Sequence, residues 1–136
     1  MTDVGRRSAL ALGSICLSGL LLPDIASAET YGPTAGKEVA PGIRQVDLGK
    51  AESHLSGYKT VSLRDIVFQP KVKFDVRSMP NDMVCFMTEG ELSIKQNDKA
   101  FAVKKGEMYT CMKGMTEEDT NGSTVAVMRV IDLLPA

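Results

Sequence analysis

The chain has 136 residues, enough for one domain and too few for two of ordinary size. Its 16 Lys and Arg nearly cancel its 17 Asp and Glu, so no strong field invites nucleic acid or an anionic membrane surface. With no Trp and 5% aromatic residues it also lacks the material for a base-stacking platform.

Residues 1–28 read as an export signal. Arg6-Arg7 make a charged start, Ser8 to Leu22 a modestly apolar run, Pro23 a break, and Ala26-Ser27-Ala28 a small-x-small cleavage site before Glu29. The paired arginines resemble a twin-arginine signal, although Ala9-Leu10-Ala11 follows Ser8 where Phe-Leu-Lys is common, and the Sec route stays open. The apolar run is shorter than the ~20 residues a spanning helix needs. The expectation is therefore a periplasmic or secreted protein with no stable membrane insertion after cleavage. Ile15 precedes Cys16 where a lipoprotein signal needs a small residue, which argues against lipidation there.

Residues 29–57 are rich in Gly, Pro, Ser and Thr and hold no sustained period, so they read as an extended N-terminal arm. Within it Ile43, Val46 and Leu48 suit a short edge strand, or one exchanged with a second subunit of a homodimer. His54, the sole histidine, reads as a solvated loop residue and is the one imidazole a metal could find here.

Residues 58–136 carry a β pattern. Val61, Leu63, Ile66, Val67 and Phe68 make a strand that stops at Gln69-Pro70, and Val72, Phe74 and Val76 then alternate with Lys73, Asp75 and Arg77. The next run, Met83 to Met87, breaks at Glu89-Gly90. Asn97-Asp98 is a hairpin turn before Phe101 to Val103, and a strand after Lys105-Gly106 leads to Gly114. Glu117-Glu118-Asp119 reads as an exposed acidic loop, and Gly122-Ser123 introduces a last apolar strand to Leu133. Strand-turn-strand spacing without an amphipathic helix predicts an all-β, double-sheet jelly roll.

Sulfur is concentrated in this region. Five of the seven methionines beyond the initiator, with Cys85 and Cys111, fall between Met83 and Met115. Alternate strand residues share a face, so Met83, Cys85 and Met87 point one way and Val84 and Phe86 the other.

The glycine spacing resembles the cupin family. Its first motif is His-x-His, three or four residues, Glu, six residues, Gly; its second is Gly, five residues, Pro-x-Gly, two residues, His, three residues, Asn. The second falls here on Gly106, Met112, Gly114, Glu117 and Asn121, matching both glycines and the asparagine. The first, anchored on Gly90, puts Met83 at the glutamate and Arg77 and Met79 at the two histidines. The resemblance covers roughly residues 61–133 and implies a cupin-like double-stranded β-helix. All four usual metal-ligand positions are changed, so the iron or manganese chemistry of typical cupins does not carry over. Arg77 and Met79 also have the opposite parity to Val72, Phe74 and Val76, which requires either a bulge near Ser78 or a register shifted by one.

Three readings of the sulfur face follow. Met79, Met83, Cys85, Met87, Cys111 and Met115 include enough thioethers and thiols to hold Cu(I) or another soft metal, which prefers such ligands. Alternatively they fill an irregular core, with Cys85 and Cys111 joined as a disulfide in an oxidising compartment. In the third reading Arg77 and Glu117, with Thr116, line a mouth that binds a small organic or anionic ligand over a methionine floor. No nucleophile with a positioned base and no phosphate loop is evident, so a binding protein is expected ahead of the alternative, a cupin-type enzyme with an atypical metal site or thiol chemistry at Cys85 or Cys111.

Overall fold

The computed structural model describes residues 31–136, and all ten strands lie between Lys37 and Leu134. The export signal read over residues 1–28 lies outside the described residues. The strands are β1 (Lys37–Ala40), β2 (Ile43–Glu52), β3 (Thr60–Phe68), β4 (Lys73–Ser78), β5 (Asp82–Glu89), β6 (Glu91–Gln96), β7 (Lys99–Lys104), β8 (Met108–Cys111), β9 (Thr116–Asn121) and β10 (Ala126–Leu134). They form a six-stranded sheet in the order β1-β2-β3-β10-β5-β8 and a four-stranded sheet in the order β4-β9-β6-β7, with every pairing antiparallel. No helix occurs among the described residues. This is the double-sheet jelly roll that the strand-turn pattern predicts.

The core lies between the two inner faces, where Phe68, Ile43, Met87 and Leu92 are fully buried. Period-two alternation puts them there. On β5, Met83, Cys85 and Met87 are buried while Phe86 is exposed, and on β6 Leu92 and Ile94 are buried while Glu91, Ser93 and Lys95 are exposed. Between these strands Gly90 has φ 72°, and a Cβ there would sit 2.7 Å from the Val125 carbonyl oxygen, so the turn at Glu89-Gly90 needs glycine. Asn97, at φ 51°, turns β6 into β7 across the two residues Asn97-Asp98.

Three local expectations come out differently. Residues 37–52, within the expected arm, form β1 and β2, and β2 pairs along β3 of its own chain from Ile43↔Phe68 to Glu52↔Thr60. Ile43 is fully buried in the core. The turn residues around these strands conceal their period, which a bulge between Asp47 and Gly49 interrupts further. His54 is exposed in the connection from β2 to β3.

The parity conflict in β4 is resolved by a bulge, displaced from Ser78. Its register against β9 shifts between Phe74 and Arg77, so Val76 is 61% exposed and Arg77 turns inward. Finally, Glu117-Glu118-Asp119 belongs to β9, with Glu117, Asp119 and Asn121 facing inward. The Asn121 side-chain amide donates to the carbonyls of Phe68 (3.2 Å), Gln69 (2.9 Å) and Thr124 (2.8 Å), tying the end of β3 to the turn before β10. The asparagine of the second cupin-like motif thus serves as a clamp.

Candidate functional site

β3, β4, β5, β9 and β10 enclose a cavity of about 180 Å³ lined by Arg77, Met79, Met83, Cys85, Glu117 and Met128. The four residues at the altered cupin positions, Arg77, Met79, Met83 and Glu117, therefore meet around one space. The strand pairing brings in a sulfur that spacing did not reveal: Met128 lies opposite Met87 and Val130 opposite Cys85 on β10, so Met128 faces the same interior. Met87 is fully buried in the core without lining the cavity. Met115 is half-buried at its edge, its Sδ 3.2 Å from the Met112 backbone N–H. Cys111 lies on β8 beside Cys85.

Cys85 and Cys111 are free thiols, not the bridge considered as an alternative. Cys85 is paired with Tyr109 and Cys111 with Met83, so the two cysteines are diagonal neighbours on adjacent strands. The adjacent Cys85 thiol, followed by burial and the nearby Glu117, pushes the Cys111 thiol up. Cys111 Sγ donates to Glu117 Oε1 at 2.9 Å and accepts from Gln96 Nε2 at 3.2 Å.

Glu117 is 2% exposed and well supplied with donors. Gln96 Nε2 reaches Oε1 at 3.1 Å, and the Tyr109 hydroxyl reaches Oε2 at 3.1 Å while lying 3.0 Å from Met128 Sδ. Burial, followed by the charges of Cys85 and Glu117, holds the Tyr109 hydroxyl protonated. Two residues along β9, Asp119 is fully buried and its Oδ1 has no hydrogen-bond donor. Burial first, then the charge and hydrogen bonding of Glu117, push Asp119 up to about 8 against the pull of Arg77. Of the two neighbouring carboxyls, Asp119 is thus the one that keeps its proton toward neutral pH.

Arg77 serves both. Its Nη2 lies 2.8 Å from Asp119 Oδ2 and 3.7 Å from Glu117 Oε2, and its Nη1 donates to the Glu117 carbonyl at 3.2 Å. The guanidinium stacks 3.5 Å above the Phe74 ring. The role expected for Arg77, pairing with a carboxylate or phosphate from outside, is met by carboxyls of its own chain, and an incoming anion would face Glu117 and Asp119 as well.

Beyond Pro80 and Arg64, which line both spaces, the cavity adjoins an open groove of about 590 Å³. Its polar lining is fixed by Asp132, whose Oδ2 and Oδ1 accept from Arg64 at 2.7 and 3.1 Å and whose Oδ1 accepts from Asn81 Nδ2 at 3.1 Å. Neither Arg64 nor Asp132 stands out in the sequence, because they meet only when β3 pairs with β10.

The hard-metal chemistry of the fold does not fit these residues. Of the four corresponding positions only Glu117 offers an oxygen donor, Met79 and Met83 offer soft thioethers, and Arg77 brings a positive charge. Among the described residues no group of three or more His, Cys, Asp and Glu side chains is disposed around a common metal position.

Two antiparallel sheets thus form a small barrel around a polar-rimmed, sulfur-lined cavity. The fold is that of the cupins. An RmlC-like cupin from Shewanella frigidimarina superposes with a TM-score of 0.60 at 14% identity, covering 78% of this chain and 88% of that one. The Cnp3 cupin domain of Schizosaccharomyces pombe gives a TM-score of 0.59 at 13% identity over 76% and 72%. The cupin domain of an XRE-family transcriptional regulator from Enterobacter cloacae gives 0.58 at 10% identity over 70% and 99%. No protein-family model and no curated protein matches the sequence.

Proposed function

We propose that this protein binds a soft monovalent metal ion, Cu(I) in chemical type, through the thioethers of Met79, Met83 and Met128 with Cys85 beside them. The observation that carries this reading is the convergence of those four sulfur side chains on one cavity of about 180 Å³. Thioether and thiolate donors favour Cu(I) over hard divalent ions. Export by residues 1–28 would place the protein in the periplasm or outside the cell. Amino-terminal sequencing of the exported form would begin at Glu29 if that part of the reading is right.

The test is anaerobic Cu(I) titration against a chromophoric chelator. One equivalent should be retained, and Met83→Leu or Met128→Leu, which nearly conserve volume, should each weaken retention by about tenfold or more, roughly 1.4 kcal/mol. Retention no better than that of the Met83→Leu/Met128→Leu double variant would remove the proposal. A second reading is favoured by the groove bordered by Arg64, Asn81 and Asp132, which suits a small polar organic ligand. Binding of such a compound by metal-free protein, lost in Asn81→Ala and kept in Met83→Leu, would select it.

A further inference from the structure

The soft-metal reading accounts for the thioethers but not for the arrangement of the thiols. A cysteine that only fills space needs no polar partners, whereas Cys111 Sγ is held between the Glu117 carboxylate at 2.9 Å and the Gln96 amide at 3.2 Å, diagonal to Cys85 across the β5–β8 ladder. Both thiols are shielded, at 1% and 3% exposure, so a protein oxidant cannot reach their sulfur atoms. An ion inside the cavity can, because Cys85 is part of its wall alongside Met79, Met83 and Met128. The pair therefore stands where a metal ion would be the first electron acceptor it meets.

Resting on that soft-metal reading, we infer that the Cys85–Cys111 dithiol reduces Cu(II) arriving in the cavity, and that the neighbouring thioethers retain the Cu(I) produced. The reaction closes with two metal ions. Each of two Cu(II) ions gains one electron, the Cys85 and Cys111 S–H bonds break, one S–S bond forms, and two protons leave. Glu117 Oε1, already accepting from Cys111, takes the first proton, and the second passes to solvent. Cu(II) is the oxidant, and no other reactant is needed. One Cu(I) stays on Met79, Met83 and Met128, whose thioethers do not change when Cys85 enters the disulfide, and the second is released.

The fold permits the closure. A disulfide needs its sulfurs at about 2.05 Å and its Cα atoms usually within 4.4–6.8 Å, whereas diagonal partners across a ladder stand about 7–8 Å apart, so closing the bond takes a shift of backbone. β8 is four residues long and an outer strand of its sheet, with β5 as its one neighbour there, so it can slide along β5 without disturbing a second ladder.

The experiment uses the full chain carrying Cys16→Ser, so that Cys85 and Cys111 are its only thiols, and adds copper(II) sulfate under argon. The expected result is loss of the Cu(II) electron-paramagnetic-resonance signal of two equivalents per chain. Thiols counted after denaturation should fall from two to none, and peptide mapping should recover Cys85 joined to Cys111. Adding Cys111→Ser should slow the reduction by about tenfold or more and leave no intramolecular bridge. Persistence of the Cu(II) signal and of both thiols, in protein that retains Cu(I) in the chelator titration, would overturn the dithiol inference while leaving the soft-metal reading intact. Thiol oxidation in protein that fails to retain Cu(I) would overturn the coupling of reduction to capture and the soft-metal reading with it. Unchanged reduction in the Cys111→Ser protein would also sink the inference.

Discussion

Two arginines, Arg64 and Arg77, border the same cavity, and their carboxylate partners are treated in opposite ways. Asp132 has more donors than it needs: both oxygens accept from Arg64, and Asn81 and Ser62 add to them at 3.1 and 3.5 Å. Glu117 and Asp119 instead divide one arginine between two acids, and Asp119 Oδ1 is left without a donor. A fully supplied buried charge holds its surroundings in one arrangement. Asp119, buried beside the well-supplied Glu117 and with one oxygen left without a donor, keeps its proton instead. The contrast marks the Arg64 cluster as fully paired scaffold and the Arg77 cluster as the one whose charge depends on pH.

The sharpest way to separate the clusters is to remove each one's key partner. Arg77→Met leaves two buried carboxyls facing each other, and should destabilise the fold by about 3–5 kcal/mol at pH 8. The loss should be clearly smaller at pH 5, where Asp119 holds its proton. Asp132→Ala leaves Arg64 without its carboxylate, and because Arg64 is partly solvated the expected cost is smaller, about 2–3 kcal/mol. It should be nearly equal at the two pH values. Urea unfolding of both variants at pH 5 and pH 8 measures these differences, and equal pH dependence in the two would erase the distinction.

Asp119→Asn tests the proton held by Asp119. The folded chain holds Asp119 at about 8 against an ordinary value of 3.8, so across that window the folded state binds more protons than the unfolded one. Stability from this group is therefore complete below about pH 4 and is lost as pH rises toward 8, with a slope of at most about 1.4 kcal/mol per pH unit. An amide cannot titrate. The variant should show a flatter decline over pH 5–8 by urea unfolding, and an unchanged slope would assign the proton elsewhere.

The same contrast explains what could be read from the chain. Strands with apolar residues at period two, such as Met83-x-Cys85-x-Met87 and Leu92-x-Ile94, announce both their extent and their inward face, and the turns at Gly90 and Asn97 mark their ends. β9 was hidden because its inward residues are Glu117, Asp119 and Asn121: the alternation is intact, but the polarity is inverted. Reading those three as a period-two set would have found Asp119 with Glu117. Arg77 was placed by the glycine skeleton even though hydrophobic parity argued against it, since the bulge between Phe74 and Arg77 reverses parity locally. Met128 and Asp132 had no such signal. On a strand apolar but for Arg129 and Asp132, only its pairing with β5 and β3 reveals which residues meet Cys85 and Arg64.

The smallest expected effect tests how far the Asp132 cluster is over-supplied. Ser62 Oγ donates to Asp132 Oδ2 from 3.5 Å, at the outer limit of a hydrogen bond, while the same oxygen accepts the Arg64 Nε–H at 2.7 Å. Ser62→Ala removes a weak, partly solvated donor and leaves no buried group unpaired, because Arg64 and Asn81 still satisfy the carboxylate. The cost should be below about 0.5 kcal/mol, with no change in the dependence of stability on pH and none in Cu(I) retention. A loss above about 1.5 kcal/mol in the urea midpoint would mean that Asp132 depends on every donor it has, and the scaffold cluster would then be as finely balanced as the Arg77 cluster across the cavity.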